Sequence, residues 1–198
     1  MKIVLIDNGH GKETPGKRSP VWPGIGQIME YAYDRKIAKL IVAELAKINI
    51  PSVLITPEET DISLNERVRR ANRLARIYGK DETLLVSIHA NANNNPNAKG
   101  WSIYTYPGFS KSDVYATIFW EEAKKLILDD TKLLADYADR DPDYEANFAV
   151  LRDTICPSVL TENMFFTNFE DSKYMLSDEG IKEVVALHVN AIKRIFNK

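Results

Sequence analysis

The chain has 198 residues, which is enough for one well-packed hydrophobic core and does not require a second domain. Its 26 basic and 28 acidic side chains give a net charge of -2, so no general attraction to nucleic acid or to an anionic membrane is expected. No run approaches the roughly 20 apolar residues that span a bilayer, so membrane insertion is not expected. The single cysteine, Cys156, excludes an intramolecular disulfide, and its apolar neighbours predict a buried, unreactive thiol.

Apolar runs and helical periodicities alternate along the chain. Short apolar, β-branched runs predict strands at about residues 2–7, 52–56, 84–88, 101–106 and 158–162. Apolar residues at helical spacing predict helices over about 28–48, 63–79, 112–128 and 178–196. The pattern indicates an α/β fold, in which residues 1–198 form a single domain. Its twisted, mostly parallel (mixed) sheet has about five to six strands, with helices on both faces.

Two charged segments leave alternatives open. The second helix carries Arg67, Arg69, Arg70 and Arg73, for which a solvated helix face is favoured over an anion site. Residues 129–146 are rich in acidic groups and show no clear period, so we expect a solvated connection rather than a cation site. The spacing of known metal-binding loops is absent there. The aspartates concerned are Asp129, Asp130, Asp136, Asp139, Asp141 and Asp143.

Three polar residues stand where predicted strands end. His10 follows the first strand, His89 ends the third, and Glu162 ends the last. Because ligands of open α/β sheets bind at the carboxyl ends of the strands, we expect these side chains to converge. Catalytic zinc commonly takes three nitrogen or oxygen ligands and leaves one position for water, so a metal or acid–base centre is indicated. His188, in contrast, lies in phase with the apolar face of the last helix and is interpreted as a core residue.

The same residues resemble a known family, the zinc-dependent N-acetylmuramoyl-L-alanine amidases of the amidase 3 type. Residues 6–11, Ile-Asp-Asn-Gly-His-Gly, are similar to its opening motif, and the resemblance implies that His10 is the first zinc ligand. It implies Glu30, at the start of the first long helix, as the second ligand and His89, within Ser-Ile-His-Ala-Asn-Ala, as the third. The segment 157–168 resembles the part of the family that carries the catalytic glutamate, which assigns that role to Glu162. The implied cofactor is Zn²⁺.

The chain departs from the family pattern in several places. Asn8 stands where the motif has proline, the loop 12–23 is longer and more basic than usual, and residues 107–146 match no family segment. Substrate selectivity or a covering element is expected in those regions. No wall-binding second domain and no signal peptide is recognised, so the sequence predicts either a catalytic domain whose signal was removed or a phage-type lysin made in the cytoplasm.

The resemblance implies hydrolysis of the amide bond between N-acetylmuramic acid and L-alanine in peptidoglycan. The expected partner is therefore peptidoglycan, the expected place of action is the periplasmic or extracellular cell wall, and a monomer is favoured. Two alternatives remain: a zinc peptidase or other amidohydrolase acting on a related peptide, and a non-catalytic peptidoglycan-binding module. A nucleotide-binding domain is disfavoured, because residues 9–11 lack the spacing of a phosphate-binding glycine loop.

Overall fold

A computed structural model describes residues 1–127 and 132–197 of the protein. Its six strands form one mixed sheet in the spatial order β2-β1-β3-β6-β4-β5. The strands are β1 (Ile3–Asn8), β2 (Ser52–Leu54), β3 (Thr83–Asn91), β4 (Ser102–Thr105), β5 (Tyr144–Glu145) and β6 (Ser158–Phe165). All neighbouring pairs are parallel except β4 with β6, which is antiparallel. The predicted α/β class and mostly parallel sheet are confirmed.

Six α-helices accompany the sheet within the described residues. They are α1 (Glu30–Lys47), α2 (Leu64–Tyr78), α3 (Lys111–Leu126), α4 (Ala149–Arg152), α5 (Phe169–Leu176) and α6 (Asp178–Ile195). The four longest match the predicted helices closely. Ser63 caps α2 by accepting a hydrogen bond from the backbone N–H of Glu66 at 3.3 Å, and α2 ends before Gly79, whose φ of 98° favours glycine.

The strands bury both of their faces, as a parallel sheet between helices requires. In β1, Val4 and Ile6 belong to the larger core, which also contains residues of other strands and of α1, α3 and α6. The alternate residues Ile3 and Leu5 belong to a second core, in which α2 packs on the opposite face. Helices therefore cover both faces, as the sequence predicted.

Two buried residues bear out their sequence-based interpretation. His188 on α6 is fully buried, and Cys156 is 5 % exposed in the core beneath α2. Burial raises the pKa of the Cys156 thiol to about 12, so the thiolate nucleophile is suppressed. Among the residues described, no helix is both long and apolar enough to cross a membrane.

The prediction for the acidic segment is wrong in part. Asp143 lies directly before β5 and is only 1 % exposed, so this end of the segment is packed against the sheet. Asp136 and Asp139 do fit the expected polar connection, because neither is buried. Asp129 and Asp130 lie outside the described residues. No period is recognisable in this segment because β5 contains two residues, too few for alternation to be detected.

Candidate active site

The predicted site residues meet at the carboxyl ends of three adjacent strands. His10 lies two residues beyond β1, whereas His89 lies near the end of β3 and Glu162 lies on β6. His89 and Glu162 are direct partners in the parallel register of β3 with β6. The fold thus brings together residues that are about 150 positions apart in the sequence, as expected for the functional edge of an α/β sheet.

Glu30 links the two histidines. One of its carboxylate oxygens, Oε1, lies 3.2 Å from Nε2 of His10 and 3.4 Å from Nδ1 of His89. One potential ligand atom from each of the three residues lies within 4.8 Å of the other two. Glu30 reaches this position because it opens α1 in phase with the buried residues Ile37 and Ile41. Two imidazoles and a carboxylate therefore form a candidate metal centre.

The backbone around His10 is held in an unusual conformation. His10 has a φ of 55°, which non-glycine residues seldom adopt. Its carbonyl oxygen accepts hydrogen bonds from Nη1 of Arg35 at 2.9 Å and from Nη2 of Arg67 at 3.2 Å. A Cβ on the preceding Gly9 would lie 2.4 Å from Cε1 of His89, so only glycine allows this approach. The two arginines and the glycine together fix the first histidine against the third strand.

The prediction that the arginines of α2 form a solvated face is wrong for Arg67. Its side chain is 3 % exposed, and Nη1 lies 2.7 Å from Oδ1 of the equally buried Asp7. Ser87 also donates to the other oxygen of Asp7 at 2.8 Å. The sequence carried a signal for this, because Arg67 stands four residues before Ala71 and eight before Ala75, both of which the helix buries. Arg69, by contrast, is exposed as predicted.

Two consecutive hydrogen bonds, from buried side chains, support the backbone of His89. The pairing of β3 with β6 is irregular between His89 and Asn91, which is where a bulge can redirect a side chain. Asn163 donates from Nδ2 to the carbonyl oxygen of His89 at 2.9 Å. The buried indole of Trp101 in turn donates to Oδ1 of Asn163 at 2.9 Å. Neither Asn163 nor Trp101 was predicted as a site residue.

Burial and charge shift the pKa values of the central groups. Burial lowers the pKa of His10. For Glu30, burial opposes ionisation, but the contacts with His10 and His89 outweigh it and lower the pKa to about 2. Burial raises the pKa of Glu162 to about 7, with His89 opposing and Glu30 adding to the rise. The two carboxylates thus differ in basicity, and Glu162 is the one suited to exchange protons near neutral pH.

A cavity of about 710 Å³ opens onto this centre. One wall comes from the loop before α2 and the start of that helix, and the other comes from the segment that forms α4. Its rim includes the exposed side chains of Leu64 and Phe148 beside the cations Lys17 and Arg152. The lining residues that belong to the centre itself are His10, His89 and Glu162. The cavity can therefore hold an extended ligand that carries both apolar and acidic groups.

Comparison with known proteins agrees with this geometry. Residues 4–194 match the Amidase_3 family, described as N-acetylmuramoyl-L-alanine amidase. The amidase CwlM of Bacillus licheniformis is 29% identical over 198 residues, covering 100% of this chain and 70% of the relative. The endolysin of Bacillus phage SPP1 is 29% identical over 200 residues, covering 99% of this chain and 66% of the endolysin.

A solved structure gives the same result. The N-acetylmuramoyl-L-alanine amidase from Clostridium difficile 630 aligns with a TM-score of 0.81 and 25% identity, covering 99% of this chain and 97% of the other. Because the family match spans nearly all of the sequence, this chain belongs to the N-acetylmuramoyl-L-alanine amidase family of the Amidase_3 type. The enzyme class predicted from the sequence, a peptidoglycan-hydrolysing amidase, is confirmed.

Proposed function

We propose that the chain is a zinc-dependent amidase in which His10, Glu30 and His89 hold the metal and Glu162 acts as the general base and acid. The observation that carries this proposal is the position of Glu30 Oε1, 3.2 Å from His10 Nε2 and 3.4 Å from His89 Nδ1. Glu162 stands beside His89 on the neighbouring strand and lines the same cavity. Three ligands and a nearby base form the arrangement that metal-assisted hydrolysis requires.

The distances and the donor atoms are compatible with a zinc ion. Two ligands each about 2.1 Å from a tetrahedral zinc ion are separated by about 3.4 Å, close to both measured separations. The donor set of two imidazoles and one carboxylate is also one that catalytic zinc uses. Oε2 of Glu30 is buried and has no hydrogen-bond partner among the described residues, and Lys17 Nζ lies 3.7 Å from it. Lys17 therefore lies next to the centre without competing for Oε1.

The proposed reaction is hydrolysis of the amide between the lactyl group of N-acetylmuramic acid and L-alanine. When bound, zinc supplies a Lewis acid that makes water more acidic and favours the developing oxyanion. Glu162 accepts the proton of the attacking water and then donates it to the nitrogen of the departing L-alanine. In the metal-free protein burial raises the pKa of Glu162 to about 7, and a base that titrates near the working pH suits both halves of this transfer.

The cavity supports a muramyl peptide as the substrate. Leu64 and Phe148 offer apolar contacts, and the cations Lys17 and Arg152, which pair with Glu30 and Asp153, also line the cavity. We infer that residues 1–198 act as one catalytic domain on the peptidoglycan of the periplasmic or extracellular cell wall, as a monomer. Relatives that are themselves called amidases and an endolysin support this site of action.

The variant Glu162→Gln tests the assignment of the base. It should lower kcat by about 10²–10⁴-fold, because the amide cannot take up the proton of water. Zinc content should remain at one ion per chain, because Glu162 is not among the proposed ligands. Glu44→Gln, an exposed change on α1, is the matched control and should retain full activity. Near wild-type hydrolysis by Glu162→Gln would show that another group moves the proton.

A further inference from the structure

Three aspartates meet at the opposite edge of the sheet from β2, outside the site described above. Asp113 lies in the first turn of α3, whereas Asp141 and Asp143 lie in the segment that leads into β5. One oxygen from each of the three lies within 4.8 Å of the other two. A second, overlapping group contains Asp113 with Asp139 and Glu145. Four other carboxylates thus lie near Asp113.

Within the described residues no cationic side chain pairs with this cluster, although Asp113 accepts hydrogen bonds from Ser110 and Thr105. The Asp143 side chain is 1 % exposed, and although its Oδ2 accepts a hydrogen bond from Thr105 at 2.7 Å, its Oδ1 has no partner among the described residues. Oδ1 of Asp141 is likewise buried and without a partner in this part of the chain. No ion pair formed by the described residues includes any of the three aspartates. Such crowding disfavours ionisation unless a cation balances it.

We propose that Asp113, Asp141 and Asp143 form a second metal site in this protein, which binds Ca²⁺. Calcium takes six to eight oxygen ligands at about 2.3–2.6 Å, from carboxylates, carbonyls and water. Oxygens that share such an ion lie within about 5 Å of one another, and one oxygen from each of the three aspartates meets this condition. The cluster offers neither imidazole nor thiolate, so its chemistry differs from that of the His10–Glu30–His89 centre.

The site lies where a bound ion would stabilise the segment that leads to the active-site cavity. Thr105, which donates to Asp143, also accepts a hydrogen bond at its carbonyl oxygen from the N–H of Ala146 at 2.9 Å. Asn147 and Phe148, which follow directly, line the cavity beside the catalytic residues. A calcium ion that joins the segment before β5 to α3 therefore fixes the start of one cavity wall.

Calcium binding to the zinc-loaded full chain tests the proposal. Isothermal titration with CaCl₂ should show one Ca²⁺ bound per chain. Thermal unfolding should shift upwards by about 5–10 °C when Ca²⁺ is about 100-fold above its Kd. An equal concentration of MgCl₂ controls for ionic strength and should shift the Tm less, because Mg²⁺ requires shorter distances and stricter geometry. Neither readout depends on catalysis, so failure here is separate from failure of the proposed function.

Two variants locate the ion. Asp143→Asn should weaken Ca²⁺ binding at least tenfold, and Asp141→Asn should do the same. Because Asp141 is less buried, its variant provides the test if Asp143→Asn folds poorly. Asp81→Asn, at an exposed aspartate, is the matched control and should bind Ca²⁺ as the wild type does. Absence of both heat and Tm shift in the wild type up to about 10 mM CaCl₂ would overturn the proposal, since even weak calcium modules bind within this range. Wild-type affinity in both aspartate variants would overturn it as well.

Discussion

At the residue scale, two arginines support the backbone of the site. Arg35 and Arg67 both donate to the carbonyl oxygen of His10, and Arg67 also pairs with the buried Asp7. Because His10 has a positive φ, its conformation needs such external support. The two arginines are positioning residues: they hold the backbone from which the first proposed ligand projects.

Replacing Arg67 with methionine should therefore cost much more stability than an ordinary surface change. The variant leaves Asp7 buried without its partner, and losing one member of a buried ion pair costs about 3–5 kcal/mol in the free energy of unfolding. Arg69→Met on the same helix is the matched control. Because Arg69 is exposed, this substitution should lower the free energy of unfolding by about 0.5 kcal/mol or less. Urea denaturation of both variants provides the comparison. Equal losses would mean that the Asp7–Arg67 pair contributes nothing beyond a surface contact.

The sequence predicted the residues of the site unevenly, for physical reasons. His10, His89 and Glu162 could be found because each follows or ends an apolar strand, and strand ends converge. Glu30 has no such signal and was assigned only through the family resemblance. Arg67 was missed because its charge was taken as evidence of exposure, although its helical phase matched the buried stripe. The supporting amide of Asn163 depends on a bulge, which no local pattern indicates.

At the element scale, α6 meets the sheet through a buried histidine. The ring of His188 lies 2.7 Å from the carbonyl oxygen of Val184 at Nδ1 and 2.9 Å from the hydroxyl of Thr161 on β6 at Nε2. A neutral ring that donates from Nδ1 and accepts at Nε2 satisfies both partners. Burial lowers the pKa of His188 to about 4, so the folded protein keeps this ring neutral through the weakly acidic range.

This burial predicts a pH-dependent stability. In the unfolded chain His188 takes up a proton near its ordinary pKa of 6.5, whereas in the folded chain it does so only near 4. The unfolded state therefore binds more protons between these values, and stability falls as the pH falls from 6.5 towards 4. From pH 7 to pH 5 the contribution lost is about 2 kcal/mol.

The variant His188→Gln isolates this contribution. It should be less stable than the wild type at pH 7 but should lose about 2 kcal/mol less between pH 7 and pH 5. Urea denaturation is measured on chelator-treated samples of both proteins, so that metal release from the active site does not enter the difference. The remaining titrating groups are common to both proteins and cancel. Identical pH dependence in the two would contradict a neutral, buried His188.

Elements with long, regular patterns were predicted well, and short ones were not. The four longest helices were recognised because each repeats an apolar stripe over several turns. The helices α4 and α5 and the strand β5 were missed, because 4, 8 and 2 residues give too few repeats. The antiparallel direction of β4 could not be derived from its own residues either, since strand direction depends on the whole connection.

At the scale of the whole molecule, one sheet edge organises the chemistry. Parallel strands carry His89 and Glu162 side by side, β1 leads into His10, and α1 brings Glu30 between the histidines. The cavity beside them is bounded by segments that follow other strands. An Amidase_3 fold thus brings the proposed metal ligands, the proposed base and the adjoining cavity together from distant parts of the chain.

The most direct test of the account is digestion of purified peptidoglycan by the zinc-loaded protein, the chelated protein and the chelated protein resupplied with zinc. The products are scored as newly freed L-alanine amines and as new reducing sugar ends. The account predicts release of L-alanine amines that is lost on chelation and restored by zinc, with no new reducing ends. Free amines from other amino acids would instead indicate a peptidase, and absence of cleavage by the zinc-loaded protein would contradict a catalytic role.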